Sequence, residues 1–308
     1  MKSLVTVNLW SALPTPLTHD LQVDEVAVGK LIQDAIAGGF AGVFLAGTCG
    51  EGPWLPDHER IRLIRAAAEA AAGRLTIGAQ VSDNSVPRVL ENIDRVAKAG
   101  ADVAIMAAPT TFLNATPDRI AALFTQTVTA SALPVGIYDL GKHRPIMIPE
   151  DRLLEIYLQP KVRLVKDSSG SSERRAIALE AQRQRPDLQL FNGDEFKCLE
   201  YLLAGYEGCM FGGAVAVAAE MREIASLLVT GQLDEARRVE RRMIQVLYGI
   251  YGGETIECWL TGLKYSLVCR GLFPTTASFL GFPLTETCRA FIEADVSERH
   301  GGLAAQGG

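Results

Sequence analysis

Apolar residues recur along this chain in two alternating rhythms. Short runs such as Gly42-Val43-Phe44-Leu45-Ala46 and Asp102–Ala107 are almost wholly apolar, as strands buried on both faces are. Between them lie longer stretches, Val23–Ala37 and Asp57–Ala72 among them, whose apolar residues fall at helical spacing. The first of these stops at Gly38-Gly39, a usual helix terminator. Strands are expected at Leu4–Leu9, Gly42–Ala46, Leu75–Gln80, Asp102–Ala107, Pro134–Tyr138, Val162–Lys166, Leu188–Phe191 and Gly208–Phe211. Helical sequence follows each, for example after Asn84 and over Pro117–Ser131.

Eight alternating units predict an α/β fold, a (β/α)8 TIM barrel, over residues 1–220. A doubly wound nucleotide fold would want Gly-x-Gly-x-x-Gly after its first strand. Here the glycines follow the second strand, as Gly47-x-x-Gly50-x-Gly52. From Met221 the pattern is purely helical, over 221–229, 232–250, 254–270 and 285–296. Residues 221–300 are therefore expected to form a helical extension on the barrel. The glycine-rich stretch 301–308 reads as a mobile tail.

Composition narrows the function classes. Of 308 residues, 48% are hydrophobic and 21% charged, the balance of a packed globular protein. The formal charge of −6 argues against nucleic acid as a partner, because phosphate binding needs a basic face. The six cysteines and four histidines are scattered, without metal-ligand spacing, and the cysteines read as reduced. No apolar run reaches the length of a membrane span and no cleavable leader pattern opens the chain, so the cytoplasm is the expected location.

In such barrels the reacting groups lie at the C-terminal ends of the strands. The run Val162-Arg163-Leu164-Val165-Lys166-Asp167-Ser168-Ser169-Gly170 reads as a buried strand that ends on a lysine and turns sharply. By alternation, Val162, Leu164 and Lys166 share the inner face. A lysine held there sheds water, which favours its neutral, nucleophilic form. A plainer reading lets the amine snorkel outward and pair with Asp167. Ser171, Ser172 and Glu173 are candidate cap residues for the helix that follows. On the preceding strand Pro134, Gly136 and Tyr138 share a face, which would set the Tyr138 hydroxyl beside the lysine as a proton relay, with Gly136 leaving room beneath the ring. The Gly47–Gly52 loop either merely turns the chain or offers backbone N–H groups and the Thr48 hydroxyl to a carboxylate. Cys49 reads as a packed thiol, since no histidine has an evident place beside it.

These residues resemble the dihydrodipicolinate synthase/N-acetylneuraminate lyase family of Schiff-base barrels. Gly47-Thr48-Cys49-Gly50-Glu51 is similar to the family's Gly-Thr/Ser-Thr-Gly-Glu run, and Tyr138 matches its strand-five tyrosine. Lys166-Asp167-Ser168-Ser169-Gly170 matches its lysine strand, and Gly193-Asp194-Glu195 its acidic turn after strand seven. The resemblance spans almost the whole chain. It implies a class I aldolase or lyase in which Lys166 forms an imine with a 2-oxo acid, pyruvate above all, and Tyr138 moves protons. Gly47, Thr48, Cys49, Gly50 and Met210 would bind the substrate. The imine is the electron sink, so no metal or organic cofactor is expected. The family usually assembles as homotetramers or homodimers, and a homo-oligomer is expected here.

Four departures from the family pattern bear on the substrate. Cys49 replaces a hydroxyl residue, and Pro109-Thr110-Thr111-Phe112 lacks the synthases' tyrosine after strand four. The Tyr-Asn-x-Pro run becomes Tyr138-Asp139-Leu140-Gly141, and the position of the synthases' arginine falls on His143, flanked by Lys142 and Arg144. These changes argue against true dihydrodipicolinate synthase activity. Lys142-His143-Arg144 either reaches a distal substrate group or is a solvated basic turn. Dehydration of a 2-oxo-3-deoxy sugar acid, lysine-pathway synthesis, a non-catalytic oxo-acid sensor and a phosphate-ligand barrel stay open as alternatives.

Overall fold

The strand–helix alternation is realised eight times. The computed structural model describes residues 7–301. Its strands are β1 (Asn8–Ala12), β2 (Gly42–Leu45), β3 (Thr76–Gln80), β4 (Val103–Ala107), β5 (Val135–Asp139), β6 (Val162–Asp167), β7 (Gln189–Asn192) and β8 (Gly208–Phe211). The helices between them are α1 (Glu25–Ala37), α2 (Asp57–Ala71), α3 (Val86–Lys98), α4 (Pro117–Ala130), α5 (Glu150–Tyr157), α6 (Ser172–Gln184) and α7 (Cys198–Ala204). Each strand pairs in parallel with the next and β8 returns to β1, so the sheet closes without a free edge.

The first strand begins later than Leu4–Leu9, and residues 1–6 lie outside the described residues. Side-chain volume sets this register. Trp10 stands opposite Gly42 on β2 and Met210 on β8, and a Cβ at residue 42 would lie 2.4 Å from the indole. The large ring enters the barrel because its neighbour has no side chain. Phe44, Ile105, Leu164, Phe191 and Met210 fill the interior beside it. Gly136 leaves space here too, though for Leu164, which a Cβ would meet at 2.7 Å.

Leu164 joins that inner cluster, but Val162 does not share its face as alternation predicted. The β5–β6 pairing slips one residue: Val135 faces Val162, Gly136 faces Leu164, and the exposed Arg163 is skipped. Val162 therefore packs in the outer layer, between strands and helices.

The helix expected over 221–229 is α8 (Ala218–Val229), which follows β8 as the other helices follow their strands. Three more follow among the described residues: α9 (Leu233–Tyr251), α10 (Trp259–Cys269) and α11 (Glu286–His300). The helix expected from residue 254 starts only at Trp259. Gly252 and Gly253 adopt φ of 82° and 99°, left-handed backbone that ends α9, and Ile256 at 57° prolongs the turn. Of the glycine-rich tail, residues 302–308 lie outside the described residues. No helix among the described residues is long and apolar enough to cross a membrane.

Candidate active site

β5 and β6 pair so that Tyr138 stands opposite Lys166, with Phe191 on the far side. The lysine is 4% exposed. Its Nζ lies 4.4 Å from the Tyr138 ring centroid and 5.0 Å from that of Phe44. The two rings meet edge to face, with centroids 5.7 Å apart. Among the described residues this amine has neither a hydrogen-bond nor an ion-pair partner. It is enclosed by aromatic carbon and left chemically free.

Asp167 does not pair with it. Strand alternation turns Asp167 to the outer layer, where Oδ1 accepts from Ser169 N (2.9 Å) and Ser169 Oγ (2.7 Å) and Oδ2 from the Tyr206 hydroxyl (2.7 Å). Burial raises its carboxyl above the ordinary range. Asp139, opposite it on β5, also faces out. The Arg174 guanidinium grips Asp139 through two bonds of 2.8 Å and also donates to the Ile148 carbonyl (2.9 Å). Tyr157 and the Gly141 amide complete the set around Asp139. Arg174 is held there by α6, whose N-cap is Ser171, accepting from Arg174 N. Behind each inward catalytic candidate thus stands an outward carboxylate tied to neighbouring helices and loops.

Glu51 is the anchor of the loop after β2. Its backbone is left-handed at φ 56°, and its carboxylate receives Lys264 of α10 in an ion pair from which both side chains exclude solvent. Ser278 Oγ (2.8 Å) and Phe279 N (2.6 Å) donate to the same group. Gly52 N bonds to Gly47 O (3.1 Å) and Thr15 Oγ1 to Gly50 O (2.6 Å). A Cβ at Gly52 would fall 1.7 Å from Ala46 O, so the turn requires glycine. The N–H groups of Thr48, Cys49 and Gly50 have no acceptor among the described residues. The Cys49 thiol lies against Gly212, where a Cβ would be 2.9 Å from Sγ. Burial, with Glu195 adding to it, pushes that thiol up to about 12, so it stays protonated.

A cavity of about 220 Å³ opens beside this loop, with Thr48, Gln80, Ser82, Ala107, Tyr138 and Arg144 in its wall. Lys142 and His143 are exposed in a short 3-10 turn. Of the three basic residues it is Arg144, not the aligned His143, that reaches the site: its Nη2 donates to Thr48 Oγ1 (3.2 Å). Met210 is fully buried in the interior layer with Trp10 and Phe191.

Three residues in this region drew no individual role from the sequence. Glu195, noted only as part of an acidic turn, accepts from Gly213 N (2.8 Å), and burial raises its carboxyl. Tyr251 of α9 stands against the same groups: a Cβ at Gly213 would lie 2.6 Å from its hydroxyl and 2.9 Å from Glu195 Oε2. Gln80 is the third, and strand parity could have found it, since it shares the inner face of β3 with Gly78. No group of three His, Cys, Asp or Glu side chains among the described residues is arranged to hold a metal.

Residues 6–293 match the model of the Dihydrodipicolinate synthetase family. A 4-hydroxy-tetrahydrodipicolinate synthase of Listeria welshimeri is 26% identical over 242 residues, covering 78% of this chain and 82% of its own. Among solved structures, dihydrodipicolinate synthase from Bacteroides thetaiotaomicron superposes with a TM-score of 0.85 at 24% identity, covering 96% and 99% of the two chains. A prophage protein of the dihydrodipicolinic acid synthase family from E. coli K12, solved with pyruvate, gives 0.83 at 19%, covering 96% and 98%. At these identities the structural likeness speaks for the fold, and the family match carries the assignment. The chain belongs to the dihydrodipicolinate synthetase family and is one of its barrel lyases and synthases.

Proposed function

We propose that this protein is an imine-forming aldolase or lyase that makes or breaks a C–C bond of a 2-oxo acid, with pyruvate as the product or donor. The observation that carries this is the Lys166 amine, enclosed by Phe44 and Tyr138 and without a polar partner. The relative solved with pyruvate supports the choice of acid.

In the cleavage direction the amine nitrogen adds to the oxo carbon and the carbinolamine expels water, leaving a protonated C=N bond. The bond between the third and fourth carbons then breaks. Its electron pair flows to the iminium as an enamine while the fourth carbon's hydroxyl gives up its proton and becomes a carbonyl. Tyr138 shuttles that proton and those of carbinolamine dehydration. Protonation of the enamine and addition of water release pyruvate and restore the lysine. The free N–H groups of Cys49 and Gly50, with the Thr48 hydroxyl, hold the oxo acid's carboxylate, and the tight turns at Gly47 and Gly52 fix the loop. Arg144 adds positive charge at the cavity wall, and Met210 belongs to the apolar floor. The imine is the electron sink, so the reading requires no cofactor. A homodimer or homotetramer is the expected assembly, which light scattering tests.

The decisive experiment is borohydride reduction in the presence of pyruvate, followed by intact mass and peptide mapping. The expected result is one pyruvate-sized adduct on Lys166, absent from Lys166→Ala. Failure of every 2-oxo acid tried to label the protein would overturn the proposal.

A further inference from the structure

Gln80 ends β3 on the inner face, level with Ile105 of β4, and lines the cavity beside Tyr138 and Ser82. It is nine-tenths buried, and its Oε1 is fully enclosed without a hydrogen-bond donor. Several polar groups of the wall are already engaged. Ser82 Oγ accepts from Ala107 N (2.8 Å), and Thr48 Oγ1 accepts from Arg144. Asn92, behind the cavity, is bonded to Arg60 and Val81 O. A buried amide oxygen left unpaired is costly, so its presence in a cavity wall asks for an external donor.

We propose that Gln80 is a specificity-determining residue that reads a hydroxyl on the substrate chain beyond the oxo carbon. The inference rests on the 2-oxo acid reading above and narrows it to polyhydroxylated 2-oxo acids, such as 2-oxo-3-deoxy sugar acids, over their unhydroxylated counterparts. A hydroxyl is the natural complement because it both donates and accepts, satisfying a carboxamide in either orientation. An alkyl chain in the same place offers neither donor nor acceptor and leaves the amide unpaired. Sites built to bond a hydroxyl reject analogues that lack it far more strongly than apolar pockets reject a missing methylene.

The test compares two six-carbon acids, a 2-oxo-3-deoxyhexonate and 2-oxohexanoate. The readout is the concentration of each that half-saturates borohydride labelling of Lys166, counting intact and pyruvate-sized adducts together. The unaltered protein is expected to prefer the hydroxylated acid at least tenfold, and Gln80→Met to bring the two within about threefold. Equal half-saturation in the unaltered protein would overturn the inference, a measurement that stands even if the variant fails to fold. A preference kept in full by a folded Gln80→Met would overturn it as well. Labelling by pyruvate separates the two levels: a pyruvate adduct without selectivity sinks only the role of Gln80, whereas no adduct from any oxo acid sinks the reading beneath it.

Discussion

Replacing Lys264 by Met is expected to destabilise the protein and loosen its grip on the oxo acid together. Both members of the Glu51–Lys264 pair are fully excluded from solvent, so the variant leaves a carboxylate buried without its countercharge. Breaking such a pair from one side costs about 3–5 kcal/mol. Here Glu51 keeps two donors, Ser278 Oγ and Phe279 N, which argues for the lower end, ~3 kcal/mol. With an unfolding entropy of ~2 cal/mol/K per residue, a chain of this length loses about 5 °C in Tm. The double variant Glu51→Gln/Lys264→Met removes the stranded charge and lets the amide oxygen accept from the same donors, so it should recover to within ~1 kcal/mol of the parent. Calorimetry of the parent, both singles and the double closes the cycle. In parallel, half-saturation of pyruvate labelling should rise in Lys264→Met, because Glu51 adjoins the amides proposed to bind the carboxylate. A single variant that melts with the parent, or a double that loses the sum of the two singles, would refute the view that this pair acts as a unit.

Other consequences are more local. Tyr138→Phe should lower turnover by about 10²–10⁴-fold, measured as steady-state pyruvate release, if its hydroxyl moves protons. Gly193→Ala places a Cβ 2.0 Å from Ser168 Oγ and 3.0 Å from Lys166 Cε, so borohydride labelling of the lysine should fall sharply in a protein that still shows native circular dichroism. Cys49→Ser exchanges a weak donor for a hydroxyl beside the proposed carboxylate site and should lower the half-saturating pyruvate concentration about tenfold. Glu195 has a folded-state pKa raised by burial, so its contribution to stability is complete below its ordinary value of 4.5 and is lost as pH rises through the folded value. The stability of Glu195→Gln relative to the parent should therefore increase from pH 4 to pH 7 in urea titrations, and a flat difference would contradict the raised value.

What the sequence made legible follows from periodicity. The near-continuous apolar runs marked eight doubly buried strands, and parity on β5 and β6 turned Tyr138 and Lys166 inward together. Parity failed where pairing slipped: nothing in the run Val162-Arg163-Leu164 announces that Arg163 is skipped, because the slip is a property of two strands. The first strand was misplaced for a related reason. Leu4–Leu9 is the more aliphatic run, but the barrel chose Trp10 because Gly42, far along the chain, makes room for it. Arg144 was hidden by the loop around it, since linear alignment pointed to His143 while the 3-10 turn sets its neighbour against Thr48. Glu195 and Tyr251 meet only when α9 folds back on the barrel, a contact no local pattern encodes.

The union of Glu51 with Lys264 also has a temporal side. At synthesis rates of about 5–20 residues per second, roughly 10–40 s separate the making of Lys264 from that of Glu51. The barrel itself cannot close before β8 is available to pair with β1. Throughout that interval a nascent chain carries Glu51 without its ammonium partner, so a fully dry loop around it would be unfavourable. The loop proposed to hold the oxo acid's carboxylate is encoded in the first sixth of the protein, yet its anchoring ion pair can form only once α10 has been made.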